Sequence, residues 1–108
     1  GDICAADYAG KAVVVVNASG ELRFKYQGNL NPKPHYKSFQ PFQIAKDVNQ
    51  QILINDFPNN IVHVIDRDGK FLCYIEYPCT GGLSIDPEHN LLAGNHKSGE
   101  IRIIRYLQ

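Results

Sequence analysis

Pro41-Phe42-Gln43-Ile44-Ala45-Lys46-Asp47, Gln51-Ile52-Leu53-Ile54-Asn55-Asp56, Ile61-Val62-His63-Val64-Ile65-Asp66 and Lys70-Phe71-Leu72-Cys73-Tyr74-Ile75 form the stretch whose reading decides the fold. Each run is short, apolar and rich in Ile, Val and Phe. Turn residues separate them at Val48-Asn49-Gln50, Phe57-Pro58-Asn59-Asn60 and Arg67-Asp68-Gly69. Short β-branched runs punctuated by Asn, Pro and Gly read as strands. The turns are too short to carry crossover connections, so four successive strands form an up-and-down antiparallel meander.

The unit recurs on both sides. A shift of 49 positions places Ile3 on Ile52, Asp7 on Asp56, Val13 on Val62, Val15 on Val64 and Gly20 on Gly69. A shift of 39 places Ile44 on Leu83, Asp47 on Asp86, Ile52 on Leu91, Val62 on Ile101 and Val64 on Ile103. Self-similarity at this period indicates a propeller or a solenoid, and four strands per unit without a helix select the propeller. The expected fold is all-β, a partial β-propeller of about two and a half blades, each blade a four-stranded antiparallel meander. Residues 1–28 are read as an incomplete blade holding its second to fourth strands, and 29–40 as an inserted loop. Residues 41–77 form the complete blade, and 78–108 an incomplete one with its first to third strands.

The pattern Ile-Ala-x-Asp, Ile-x-Ile-x-Asp, two Asn, Val-x-Val-x-Asp and x-Gly resembles the NHL repeat. More narrowly, the run Asn95-His96-Lys97-Ser98-Gly99-Glu100-Ile101-Arg102-Ile103-Ile104-Arg105-Tyr106-Leu107 is similar to the closing repeat of the NHL propeller in tripartite-motif proteins. The third unit departs from the pattern: Thr80 stands at the position of Pro41, Asn95 at that of Asp56 and Arg105 at that of Asp66. The resemblance implies a target-recognition propeller, binding protein or RNA, in the manner of a multidomain E3 ubiquitin ligase. In that family the ligase activity belongs to a RING domain, whose zinc-binding cysteines are absent here. The alternative is a fragment of a metal-dependent six-bladed propeller enzyme of lyase or lactonase type.

The chain has 108 residues, 44% of them apolar and 20% charged, as in an ordinary globular domain. No apolar run reaches membrane-spanning length; the longest, Ala12 to Val16, suits a strand. Methionine is absent and no leader pattern opens the sequence, so an internal piece of a longer cytoplasmic chain is expected. Zero net formal charge implies no general attraction to nucleic acid. Cys4, Cys73 and Cys79 show no metal-binding spacing and are expected to be reduced, structural residues. Apolar blade flanks left open are expected to meet the remaining blades of a parent chain or further copies of this one.

The meander also sorts the loops between two faces. One face collects Asp7 to Lys11, the connection through residues 28–40, Asp56 to Asn60, Tyr77 to Thr80 and Asn95 to Glu100. It carries Lys11, Lys33, His35, Tyr36, Lys37, His96 and Lys97, the candidate residues for a peptide or single-stranded RNA. Lysines supply phosphate or carboxylate contacts, and Tyr36 a stacking surface. The opposite face collects Glu21, Asp47, Asp66, Asp68, Asp86 and Glu88. No catalytic residue, metal site or cofactor is assigned. The four histidines lack zinc spacing, no serine has nucleophile-elbow context, and Gly81-Gly82 precedes no helix. His63 is expected to be a packed or half-exposed histidine, on the side of its strand away from Val62 and Val64, and not a ligand. Asp7 and Asp56 are expected to cap turns through their carboxylates.

Overall fold

The computed structural model describes residues 1–29 and 36–106. Ten strands follow one another among these residues: β1 (Ile3–Asp7), β2 (Ala12–Val16), β3 (Leu22–Tyr26), β4 (Pro41–Lys46), β5 (Ile52–Asp56), β6 (Ile61–Ile65), β7 (Phe71–Ile75), β8 (Leu83–Ile85), β9 (Leu91–Asn95) and β10 (Glu100–Ile104). They pair in chain order into sheets of three, four and three strands, every pairing antiparallel. Strand β4 lies beside both β1 and β8, so the innermost strands of successive sheets are neighbours, as in adjacent blades of a propeller. The all-β, partial-propeller reading therefore holds.

The repeat extends to irregularities in the ladders. The β2–β3 register slips between Val15 and Val16, and the β6–β7 register slips between Val64 and Ile65, 49 positions on. One departure from the expected pattern is local: Phe57–Asn59 forms a single 3-10 turn, with Pro58 inside it and Asn60 in the left-handed region. Proline suits the first turn of a helix because it has no N–H to leave unpaired. A second is the end of the chain's last strand. Strand β10 stops at Ile104, and Tyr106 instead donates its hydroxyl to the Asp47 carboxylate at 2.9 Å.

Alternation along the strands assigns each side chain to one of two cores. Ile52, Ile54 and Ile65 of the middle sheet pack against Val13, Val15 and Tyr26 of the first. Leu53, Val62 and Val64 pack on the other side against Leu91 and Ala93 of the third. A sheet covered on both faces needs apolar residues at successive positions, and burying them is the main stabilising term. The uninterrupted runs Ile52-Leu53-Ile54 and Ile61-Val62-His63-Val64-Ile65 meet that need, and all their residues are buried.

The opposite face owes its acidity to turn construction. Asp47 Oδ1 accepts the N–H groups of Asn49 and Gln51; Asp66 Oδ1 accepts those of Asp68 and Lys70; Asp86 Oδ1 accepts those of Glu88 and Asn90. Asn17 does the same for Ser19 and Glu21. A short side-chain acceptor at the first turn position satisfies backbone donors that the hairpin leaves free. These carboxylates hold turns.

Candidate binding face

The loops assigned to one face do converge there. Tyr8 of the β1–β2 turn, Phe42 of β4, Phe57 of the 3-10 turn, Thr80 before β8 and His96 after β9 enclose an open depression of about 550 Å³. The Phe42 ring stands 6.4 Å from those of both Tyr8 and Phe57. All three aromatic side chains are exposed despite their size. His96 donates from Nδ1 to the Thr80 carbonyl at 3.1 Å, because a carbonyl only accepts; its Nε2 is then the accepting nitrogen. Thr80 Oγ1 in turn accepts the His96 N–H, which fixes the loop against β8.

Lys11 and Lys97 flank this depression in the chain: Lys11 N–H donates to the Tyr8 carbonyl, and Lys97 follows His96. Both side chains are exposed, as is Lys37, and no ion pair among the described residues engages any of the three. The acidic residues of this face are occupied. Asp7 accepts the Gly10 N–H, and Glu100 accepts the Tyr77 hydroxyl and an Arg102 N–H. Tyr36 and Lys37 line a second hollow, and Lys33 and His35 lie outside the described residues. The candidates thus fall into two groups on one face.

The second hollow, about 290 Å³, lies where the first and second sheets meet. Beneath it runs a chain of buried polar groups. His63, 2% exposed, contacts Asp56, 1% exposed, through Nε2 at 2.9 Å, and Tyr26 Oη meets Nδ1 at 2.7 Å. A carboxylate accepts only, so Nε2 carries a hydrogen and donates it to Asp56, while Nδ1 and the Tyr26 hydroxyl share the second bond. Asp56 also accepts the Gln40 N–H and the Asn59 side-chain amide. Asn59 closes the set by bonding the Lys37 backbone at both N–H and C=O. Burial pushes the Tyr26 phenol well above its ordinary value, and Tyr74 and Asp56 reinforce the rise. The Tyr26 phenol therefore keeps its proton in the neutral range.

Two expectations meet this network. His63 is packed inside, opposite Val62 and Val64, as expected. Asp7 caps its turn, but Asp56 does not: its carboxylate bonds no backbone N–H of the turn that follows. Pro58 occupies the position whose N–H would be the first donor to the carboxylate, and it has none, so the carboxylate turns inward to His63. The link was legible in part, since Asp56 and Ile54 share a strand face and Ile54 pairs with His63. Its Tyr26 end, 37 residues away, was not. Phe42 escaped the sequence reading because it sits within a strand rather than a loop.

Cysteine chemistry is suppressed. All three cysteines are free, and burial raises each thiol above its ordinary value. Gly81 and Gly82 serve packing: a Cβ on Gly81 would come within 3.2 Å of the Gly94 carbonyl oxygen, to which Gly81 N–H donates. Among the described residues no three His, Cys, Asp or Glu side chains gather as a metal-ligand set, and no helix is long and apolar enough to cross a membrane.

Sheet order, paired inner strands and a concave loop face define the class as a β-propeller segment. Solved structures agree on the fold. The chain superimposes on selenomethionine-substituted virginiamycin B lyase from Staphylococcus aureus, a β-propeller, with a TM-score of 0.68 and 17% identity, covering 100% of this chain and 39% of that one. A catalytically inactive variant of that lyase with quinupristin gives a TM-score of 0.70 at 17% identity and the same coverage. A streptogramin B lyase gives 0.70 at 15% identity, covering 95% of this chain and 36% of that chain. The chain therefore spans about two fifths of the length of these structures. No family model matches the sequence, and no curated protein matches it.

Proposed function

We propose that this propeller segment is a recognition module whose loop face binds a protein partner through an apolar anchor flanked by acidic residues. The observation that carries the reading is the convergence of Tyr8, Phe42 and Phe57, exposed, from three separate parts of the chain. Large exposed aromatic groups in a concavity mark interaction sites, and aromatic anchors dominate binding energy. Lys11, Lys37 and Lys97 around them supply complementarity and faster encounter for an acidic partner. The repeat motifs support placing the module in an NHL, tripartite-motif type of parent, where it would select targets for ubiquitin transfer in the cytoplasm while performing no chemistry itself. Single-stranded RNA would use the same lysines and rings.

The test compares wild-type full-length protein with Phe42→Ala and with Lys33→Glu/Lys37→Glu. Each is titrated with acidic aromatic peptides and single-stranded RNA pools at two salt concentrations. A protein-binding face predicts peptide affinity that falls roughly tenfold or more with Phe42→Ala and moderately with the charge reversals. RNA binding with a steep salt dependence would transfer the face to nucleic acid. Unchanged affinities throughout would remove it.

A second reading draws on the solved neighbours, which are lyases. In a lyase- or lactonase-type enzyme Nε2 of His96 would be a metal ligand on this face, and further blades would complete the metal-ligand set. Stoichiometric metal in the purified full-length protein, lost on His96→Ala, would favour that reading.

A further inference from the structure

We propose that the hollow between the first and second sheets is a binding site for an organic ammonium ion, the head group of a small amine or of a lysine side chain. It shares no lining residue with the Tyr8–Phe42–Phe57 depression and goes beyond the partner-binding reading. Part of its wall is aromatic, beside the polar side chains of Gln27, Asn29 and Ser38. Tyr36 and Tyr74 stand with ring centroids 5.6 Å apart at 83°, forming a corner, and Phe39 lines the hollow beside them. Its floor includes the buried carboxylate of Asp56.

That carboxylate is held in place by hydrogen bonds. Its donors are a backbone N–H, the Asn59 amide and the Nε2–H of His63. Lys37, on the rim, is exposed and makes no ion pair with Asp56. The hollow thus sets a buried carboxylate beside aromatic side chains, and no Lys or Arg among the described residues pairs with that carboxylate. Ring quadrupoles present negative faces, and this combination selects an ammonium group over a neutral group of equal shape. At about 290 Å³ the space suits a trimethylammonium or primary ammonium head with a short carbon chain behind it.

The full-length protein is titrated by calorimetry with choline, n-butylamine and 3,3-dimethylbutan-1-ol, the neutral isostere of choline. The His63 imidazole resonances report whether binding occurs at this site. A peptide carrying lysine or trimethyl-lysine is run in parallel, and the tighter ligand identifies the source as a free amine or a protein side chain. The site predicts that choline binds at least about tenfold more tightly than the isostere and moves the His63 resonances. Tyr36→Leu, which keeps the apolar bulk and loses the ring, weakens choline about tenfold with an unchanged circular dichroism spectrum. Asp56→Asn abolishes the preference for the cation wherever the variant folds. Equal binding of choline and isostere, no binding of any amine, or full affinity in Tyr36→Leu would overturn the proposal.

Discussion

At the scale of single residues, the Tyr26–His63–Asp56 chain joins two sheets at one point. Three polar side chains, nearly free of solvent, are tolerable because each donor meets an acceptor. Four aromatic contacts surround the imidazole, from Tyr26, Phe39, Phe71 and Tyr74. Tyr26 makes this arrangement sensitive to alkali. Its folded phenol titrates above its unfolded value of about 10, so the stability it contributes is complete below that pH and is lost as pH rises toward the folded value. Tyr26→Phe has a lower baseline, by about 1–3 kcal/mol, because His63 Nδ1 loses its partner. The same variant flattens the decline of stability above about pH 10. Urea titrations at pH 8 and pH 10.5 check both effects, and equal declines in the two proteins would mean that Tyr26 is not the responsible group.

At the scale of elements, the hairpins are closed by one device used repeatedly. Asn17, Asp47, Asp66 and Asp86 each receive two backbone N–H groups of the turn that follows. All four turns take a positive φ three positions on: 83° and 91° at Gly20 and Gly69, and 63° and 67° at Gln50 and His89. The two glycines are equivalent in the repeat but differ in surroundings. A Cβ on Gly20 meets nothing within 4 Å, whereas one on Gly69 comes within 2.8 Å of the Phe24 ring of the neighbouring sheet. Gly20→Ala therefore costs only the left-handed backbone, about 1 kcal/mol. Gly69→Ala adds overpacking of roughly 1–3 kcal/mol. The difference between their urea midpoints measures how rigidly the first two sheets are docked, and equal midpoints would show that Phe24 moves aside freely.

At the scale of the whole molecule, the repeat can be read as burial. Val15, Val64 and Ile103 occupy one repeat position; the first two are fully buried against the next sheet, while Ile103 is 65% exposed. At the neighbouring position Ile101 is 73% exposed where Val13 and Val62 are fully buried. On the other flank Ile3 is 61% exposed, although its equivalent Leu91 is buried. Antiparallel partners share a face, so Ile101 and Ile103 form one apolar surface with Leu92, and Ile3 one with Val14 and Val16. Each flank leaves an apolar surface uncovered in this chain. The isolated 108-residue chain is therefore expected to self-associate at micromolar concentration, and I101K/I103K to shift it toward the monomer in analytical ultracentrifugation. A wild-type chain that sediments as a monomer would show that the flanks are not adhesive by themselves.

Strand positions, turn sites, the repeat and the sorting of loops between two faces were all determined by the sequence itself. Each depends on neighbours a few residues apart: the alternation of side chains, the φ that glycine permits, an Asp reaching the N–H groups two and four positions on. What only the tertiary structure decided involves residues brought together from different sheets. The angle between blades sets whether Tyr26 reaches His63, and which rings meet around Phe42. It also distinguishes Val64 from Ile103, chemically alike and equivalent in the repeat, since one is covered by a sheet and the other is not. No local pattern encodes that angle, because it comes from the packing of whole sheet faces against each other.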